Sequence, residues 1–138
     1  MKKYKLLVVF LFLSSTFSFG QKVPYNVVFD VTSSDTIVHQ MVIRWIREII
    51  TTVPDANLEV VFYAKSLDMV TNGKSVVADS LMKFAAMKNV AFKVCEVAMK
   101  NNHVDKKQLL NGVQTVPDGI YEIVLKQHDN WAYIKAAR

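Results

Sequence analysis

The chain is poor in cysteine, proline and glycine, with one Cys, three Pro and four Gly in 138 residues. A single cysteine excludes an intramolecular disulfide framework and any multi-cysteine metal site within one chain. The glycines Gly20, Gly73, Gly112 and Gly119 are too scattered for a dinucleotide fingerprint or a P-loop, so no nucleotide cofactor is expected. His39, His103 and His128 lie far apart without zinc-ligand spacing, and no metal site is expected. What is abundant is apolar: 51% hydrophobic against 21% charged residues. Such a chain buries enough surface to offset its ordering entropy, which excludes disorder as its main state. Its length suits one domain and not two.

The first twenty residues read as an address. Lys2, Lys3 and Lys5 precede the unbroken apolar run Leu6 to Leu13, and Ser18-Phe19-Gly20 supplies a small-x-small site before Gln21. This is the three-part pattern of a secretory signal peptide. The apolar stretch is shorter than the roughly 20 residues of a spanning helix, so cleavage is expected and no membrane anchor. No Cys follows the site, which excludes lipoprotein attachment. The expected destination is the periplasm, with the extracellular space as the alternative. Formal charge is +5. Removing the leader takes 3 of 17 basic residues and no acid, leaving 14 against 12, or +2. That balance carries no electrostatic footprint for nucleic acid.

From residue 21 to 138 strand and helix patterns alternate, which predicts one domain. Val23 to Thr32 reads as a buried strand, with Ser34 or Asp35 placed to cap the helix that follows. From Thr36 to Thr52, Ile37, Val38, Met41, Val42, Trp45, Ile46, Ile49 and Ile50 recur at helical spacing. Asn57 to Ala64, Val90 to Val94, Val113 to Val116 and Trp131 to Lys135 read as further strands. Val76 to Lys88 and Asp118 to Gln127 read as helices, the latter turning Ile120, Ile123 and Val124 inward. The pattern predicts an α/β three-layer sandwich of five mostly parallel strands with helices on both faces. The expected strand order is flavodoxin-like.

Ligands of open parallel sheets bind beyond the carboxyl ends of the strands. That singles out Asp30 to Asp35, Ala64 to Gly73, Cys95 to Met99 and Val116 to Gly119. Cys95 ends the third strand just before a helical stretch, and a helix start favours thiolate. The alternative is a small buried hydrophobe finishing a strand, a reading that the carboxylate of Glu96 next door supports. His39, near the start of the first helix, could face the same crevice and pair with Cys95, or sit on the helix surface. Lys100 could support a thiolate from the far end of the helical stretch. Asp30 and Asp68 could serve acid–base work, although capping and turn formation are the commoner uses. The methionines read as core filler, and Trp131 and Tyr133 as packing residues.

AFKVCEVAMKNN (Ala91 to Asn102), LLNGVQTVPDGIYEIVLKQHDNWAYIKA (Leu109 to Ala136) and NLEVVFYAKSLDMV (Asn57 to Val70) together resemble the DsrE-like family of small α/β proteins. V-x-x-G-I-x-x-[IV] and W-A-Y-I-[KR] resemble a mostly uncharacterised subgroup. The resemblance implies five mostly parallel strands and homo-oligomers, trimers or hexamers, or assemblies with related DsrE-like subunits. It also implies that Cys95 takes up sulfur as a persulfide and passes it to a partner thiol. Relay members carry an Arg-Gly pair where Asn101-Asn102 stands here. Whether the protein is an enzyme is left open. The competing function is a non-catalytic oligomeric module that binds a small ligand or presents an interaction surface, with Cys95 structural. A thiol redox sensor is a third.

Overall fold

The computed structural model describes residues 23–138. The leader assigned to residues 1–20 lies outside the described residues. Five strands, β1 (Asn26–Val31), β2 (Asn57–Phe62), β3 (Val90–Cys95), β4 (Gln114–Val116) and β5 (Ala132–Ala136), make one sheet in which every pairing is parallel. Between them run α1 (Thr36–Thr52), α2 (Ala78–Ala85), α3 (Glu96–Asn101) and α4 (Gly119–His128), with 3-10 turns at Ser66–Val70 and Lys106–Gln108.

The strand order is β4-β3-β2-β1-β5. It corrects the expected flavodoxin-like order, 2-1-3-4-5. Alternating strand and helix fixes parallel pairing but leaves open which way each crossover steps. Here the chain steps outward from β1 to β4, and β5 then returns to the free edge of β1. Cross-strand chemistry supports the return: Tyr133 and Lys135 of β5 both bond Asp30 of β1, a partner within reach from the neighbouring strand.

Alternation along the strands sorts side chains to two faces. Val27, Phe29 and Val31, Leu58, Val60 and Phe62, and Val90, Phe92 and Val94 join the main core with Val38, Val42, Ile46, Leu81 and Met99. Asp35 caps α1 by accepting from the Ile37 N–H at 2.9 Å. Its buried side is Val38, His39, Val42, Ile43 and Ile46, so Ile37, at 51% exposed, is not the inward residue its spacing suggests. The opposite face holds a small apolar cluster, Val28, Val61 and Ile123. Its helix is α4. Ile123 alone of the three residues expected inward is buried; Ile120 and Val124 are 59% and 53% exposed. The reason is that α4 is apolar on both sides, so spacing did not select its inner face.

Candidate functional site

β3 is followed by α3, whose Ala98 and Met99 join the main core. Its neighbour β4 is followed by α4, on the opposite side of the sheet. Two adjacent strands whose connections leave to opposite faces open a crevice at their carboxyl ends, the place where ligands enter parallel α/β sheets. A cavity of about 350 Å³ lies beside it, at the carboxyl ends of β2 and β3. Cys95, Val97 and Ala98 line it from β3 and α3, Asp118 and Ile120 from the start of α4, and Tyr63, Ala64 and Lys65 from the end of β2.

Cys95 is the last residue of β3 and the cap position of α3, with an extended backbone. It is 5% exposed, and the cavity beside it opens toward solvent. Gly119 packs directly on it: a Cβ there would lie 3.0 Å from the Cys95 Cβ and 3.2 Å from Val61 Cγ1. The Glu96 carboxylate accepts from Thr115 Oγ1 at 2.8 Å and pairs with Lys106 at 2.8 Å. The Lys106 ammonium holds it below the usual carboxylate range, and its charge is compensated there.

The cavity wall contains a strained turn. Ala64 has φ +55°, the left-handed region in which a Cβ costs roughly 1–2 kcal/mol. Asn102 holds the turn: its Nδ2 donates to Ala64 O at 2.9 Å and to Ala98 O at 2.8 Å, tying the end of β2 to α3.

Tyr63 links the cavity to a buried carboxylate. Its hydroxyl donates to Asp30 at 3.1 Å, and Tyr133 donates to the same oxygen at 2.7 Å. Lys135 bonds both Asp30 oxygens at 3.1 Å. Burial and then the Asp30 charge push Tyr63 up to about 12. For Tyr133 the Asp30 hydrogen bond is the main cause of a rise to about 12.

Beneath α4 lies a second ionic group. Lys93 of β3 sits between Glu59 at 2.9 Å and Glu122 at 2.6 Å, and Lys126 reaches Glu59 at 3.1 Å. Glu59 is 2% exposed, and its Oε1 has no hydrogen-bond partner. Burial pushes its carboxyl up against the pull of Lys93. For Glu122 burial is again the largest single cause and works upward, but the hydrogen bonds with Lys93 and Glu59 and the charges of Lys93 and Lys126 together outweigh it, and the carboxyl falls.

The structure brings together fewer of the sequence-predicted residues than the sequence suggests. His39 is 1% exposed and its Nε2–H donates to Ser33 O at 2.8 Å; it belongs to α1 in the main core and does not line the cavity. Lys100 is exposed on α3 and does not line it either. Asp68 pairs with Lys74 at 3.2 Å, away from Asp30. Among the described residues, no three His, Cys, Asp or Glu side chains are placed to hold a metal. Ala64, Lys65 and Asp118 fall within strand-end segments that the sequence singles out. Tyr63 and Asn102 do not stand out as site residues by any local signal.

A model of the DsrE/DsrF-like family matches residues 27–136. The chain belongs to that family. Among solved structures it is similar to a protein of unknown function from Methanobacterium thermoautotrophicum, at 26% identity and TM-score 0.75, with 80% of this chain and 98% of that one covered. The ychN protein from E. coli superposes at TM-score 0.68 and 12% identity, covering 81% and 98% of the two chains. A conserved protein of unknown function from Bacteroides thetaiotaomicron superposes at TM-score 0.66 and 12% identity, covering 80% and 94%. No curated protein sequence matches the chain.

Proposed function

We propose that this protein is an exported sulfur carrier in which Cys95 accepts a sulfane sulfur and holds it as a persulfide. The observation that carries this reading is the position of Cys95 on a cavity at the carboxyl ends of β2 and β3, walled on one side by the start of α4. The thiolate is the nucleophile. It attacks the sulfane sulfur of a donor, and a second thiol later removes that sulfur from Cys95. With one cysteine per chain, the acceptor is another molecule. The Lys106 pairing of Glu96 removes an objection that the sequence raises against a thiolate at Cys95.

The apolar outer side of α4, with Ile120, Tyr121 and Val124 all more than half exposed, favours a homo-oligomer built over this helix; the family resemblance implies a trimer or hexamer. Sedimentation tests it, and a monomer at micromolar concentration counts against it. The 5% exposure of Cys95 favours the second reading, a ligand-binding module in which the thiol is structural.

Mass spectrometry after exposure to a persulfide donor separates the two. The carrier gains about 32 Da, one sulfur atom, on Cys95, and a Cys95→Ser variant gains nothing. A wild-type protein that stays unmodified with several donors supports the binding module instead.

A further inference from the structure

We propose that the donor served by the Cys95 cavity is a small zwitterionic persulfide of the amino-acid type. Its carboxylate would be met by Lys65 and its ammonium by Asp118. This inference rests on the carrier reading of Cys95.

Size points to a small donor. The cavity, at about 350 Å³, is at the low end of small-molecule sites, roughly 300–1,000 Å³. Two cysteines joined through sulfur hold their Cα atoms about 4.4–6.8 Å apart, and one added sulfur extends that to roughly 9 Å. Cys95 is 5% exposed. A folded protein donor would therefore have to bring its backbone into the cavity, past Tyr63, Val97 and Ile120. A free thiol persulfide carries no backbone to accommodate.

Charge selects the class. Lys65 makes no ion pair with any described residue, although it lines the cavity. Asp118 also has no cation partner among the described residues. Its Oδ1 accepts from the backbone N–H groups of Ile120 at 2.8 Å and Tyr121 at 3.2 Å. Beside the neutral polar side chains of Tyr63, Asn101 and Asn102, the cavity thus presents one ammonium and one carboxylate around apolar walls from Ala64, Val97, Ala98 and Ile120. A ligand with one charge of each sign and a short apolar stem matches that set. A dianion or a purely apolar thiol does not.

The transfer is redox-neutral. The Cys95 thiolate attacks the outer sulfur of R–S–S–H, a Cys95 S–S bond forms, and the donor S–S bond breaks. The products are Cys95–S–S–H and the thiolate R–S⁻, with the proton staying on the transferred sulfur.

The test compares donors on the full mature protein, reading the rate of sulfur gain at Cys95 by mass spectrometry. The donors are cysteine hydropersulfide, its analogues from cysteamine (no carboxylate) and 3-mercaptopropionate (no ammonium), and inorganic hydrogen disulfide. The cysteine donor should outpace each single-charge analogue about fivefold, the scale of one solvent-exposed charge contact. Lys65→Gln should abolish its advantage over the cysteamine donor, and Lys65→Arg should restore it. Asp118→Asn keeps a good helix cap and should abolish the advantage over the mercaptopropionate donor. Equal rates for the three organic donors, with sulfur still gained, overturn this inference and leave the carrier reading standing. Failure of every donor, inorganic disulfide included, overturns both.

Discussion

Gly119 lies against Cys95 so closely that a Cβ built on it would stand 3.0 Å from the Cys95 Cβ. The same Cβ would meet Val61 Cγ1 at 3.2 Å, and Val61 is fully buried. The first residue of α4 therefore sets how near that helix can come to Cys95. Replacing a helical glycine by alanine gains about 0.5–1 kcal/mol of backbone entropy, whereas overpacking a fixed core costs about 1–3 kcal/mol. The steric cost wins because both neighbours are themselves packed. Gly119→Ala should lower the urea midpoint and speed alkylation of Cys95 by lifting the start of α4. An unchanged midpoint and an unchanged labelling rate would contradict the packing.

Asn102 and Ala64 make a matched pair of tests. Asn102→Ala removes two hydrogen bonds to carbonyls and should cost about 1–3 kcal/mol in urea unfolding. Ala64→Gly should do the opposite. It relieves roughly 1–2 kcal/mol of left-handed strain and adds about 0.4–1 kcal/mol of unfolded-chain entropy, for a net gain between about 0 and 1.6 kcal/mol. A destabilised Ala64→Gly would mean that the turn at φ +55° stores no strain.

The phenols on Asp30 predict behaviour in alkali. Tyr63 and Tyr133 are both pushed up to about 12 from 10.0. A raised folded value means that the protonated phenols favour the folded state. Their contribution is complete below pH 10 and fades as the pH climbs toward 12. Phenolate absorbance should show two late-titrating tyrosines. In Asp30→Asn, which removes the charge both hydroxyls face, they should titrate earlier and the alkaline loss of stability should flatten. Titration unaltered by Asp30→Asn would contradict the assignment.

Lys93 is the keystone of the charge cluster under α4. Removing it leaves Glu59, 2% exposed, with Lys126 as its remaining ionic partner and one oxygen already unpaired. Breaking a buried pair from one side costs about 3–5 kcal/mol, so Lys93→Met should lower stability by an amount of that order. Lys93→Met combined with Glu59→Leu should recover most of the loss, since replacing a whole buried pair with apolar side chains is often neutral. Urea unfolding of the single and double variants checks both.

Much of this architecture was legible in the sequence. The buried runs of β1, β2 and β3, the Asp35 cap and the position of Cys95 at a strand end are local features, and local residues encode them. Strand order is not local. The sequence pointed to a flavodoxin-like order, yet the crevice between β3 and β4 exists only because β5 pairs with β1 instead. The bonds that accompany that choice, from Tyr133 and Lys135 to Asp30, span 103 and 105 residues. The place of His39 is a related case. Its position near the start of α1 gives its height along the sheet but not its lateral place, and β2 lies between β1, which α1 follows, and β3, which Cys95 ends. The outward turn of Ile120 and Val124 was hidden by the absence of polar contrast in α4.

The central claim is that the Cys95 thiol is reached through the cavity of the folded protein. Its most direct test is the alkylation rate of Cys95 by iodoacetamide, measured in buffer and across the urea unfolding transition. Labelling in buffer should proceed at a rate independent of global unfolding, with a bulky maleimide slowed relative to iodoacetamide. Labelling that appears only as the protein unfolds would contradict it.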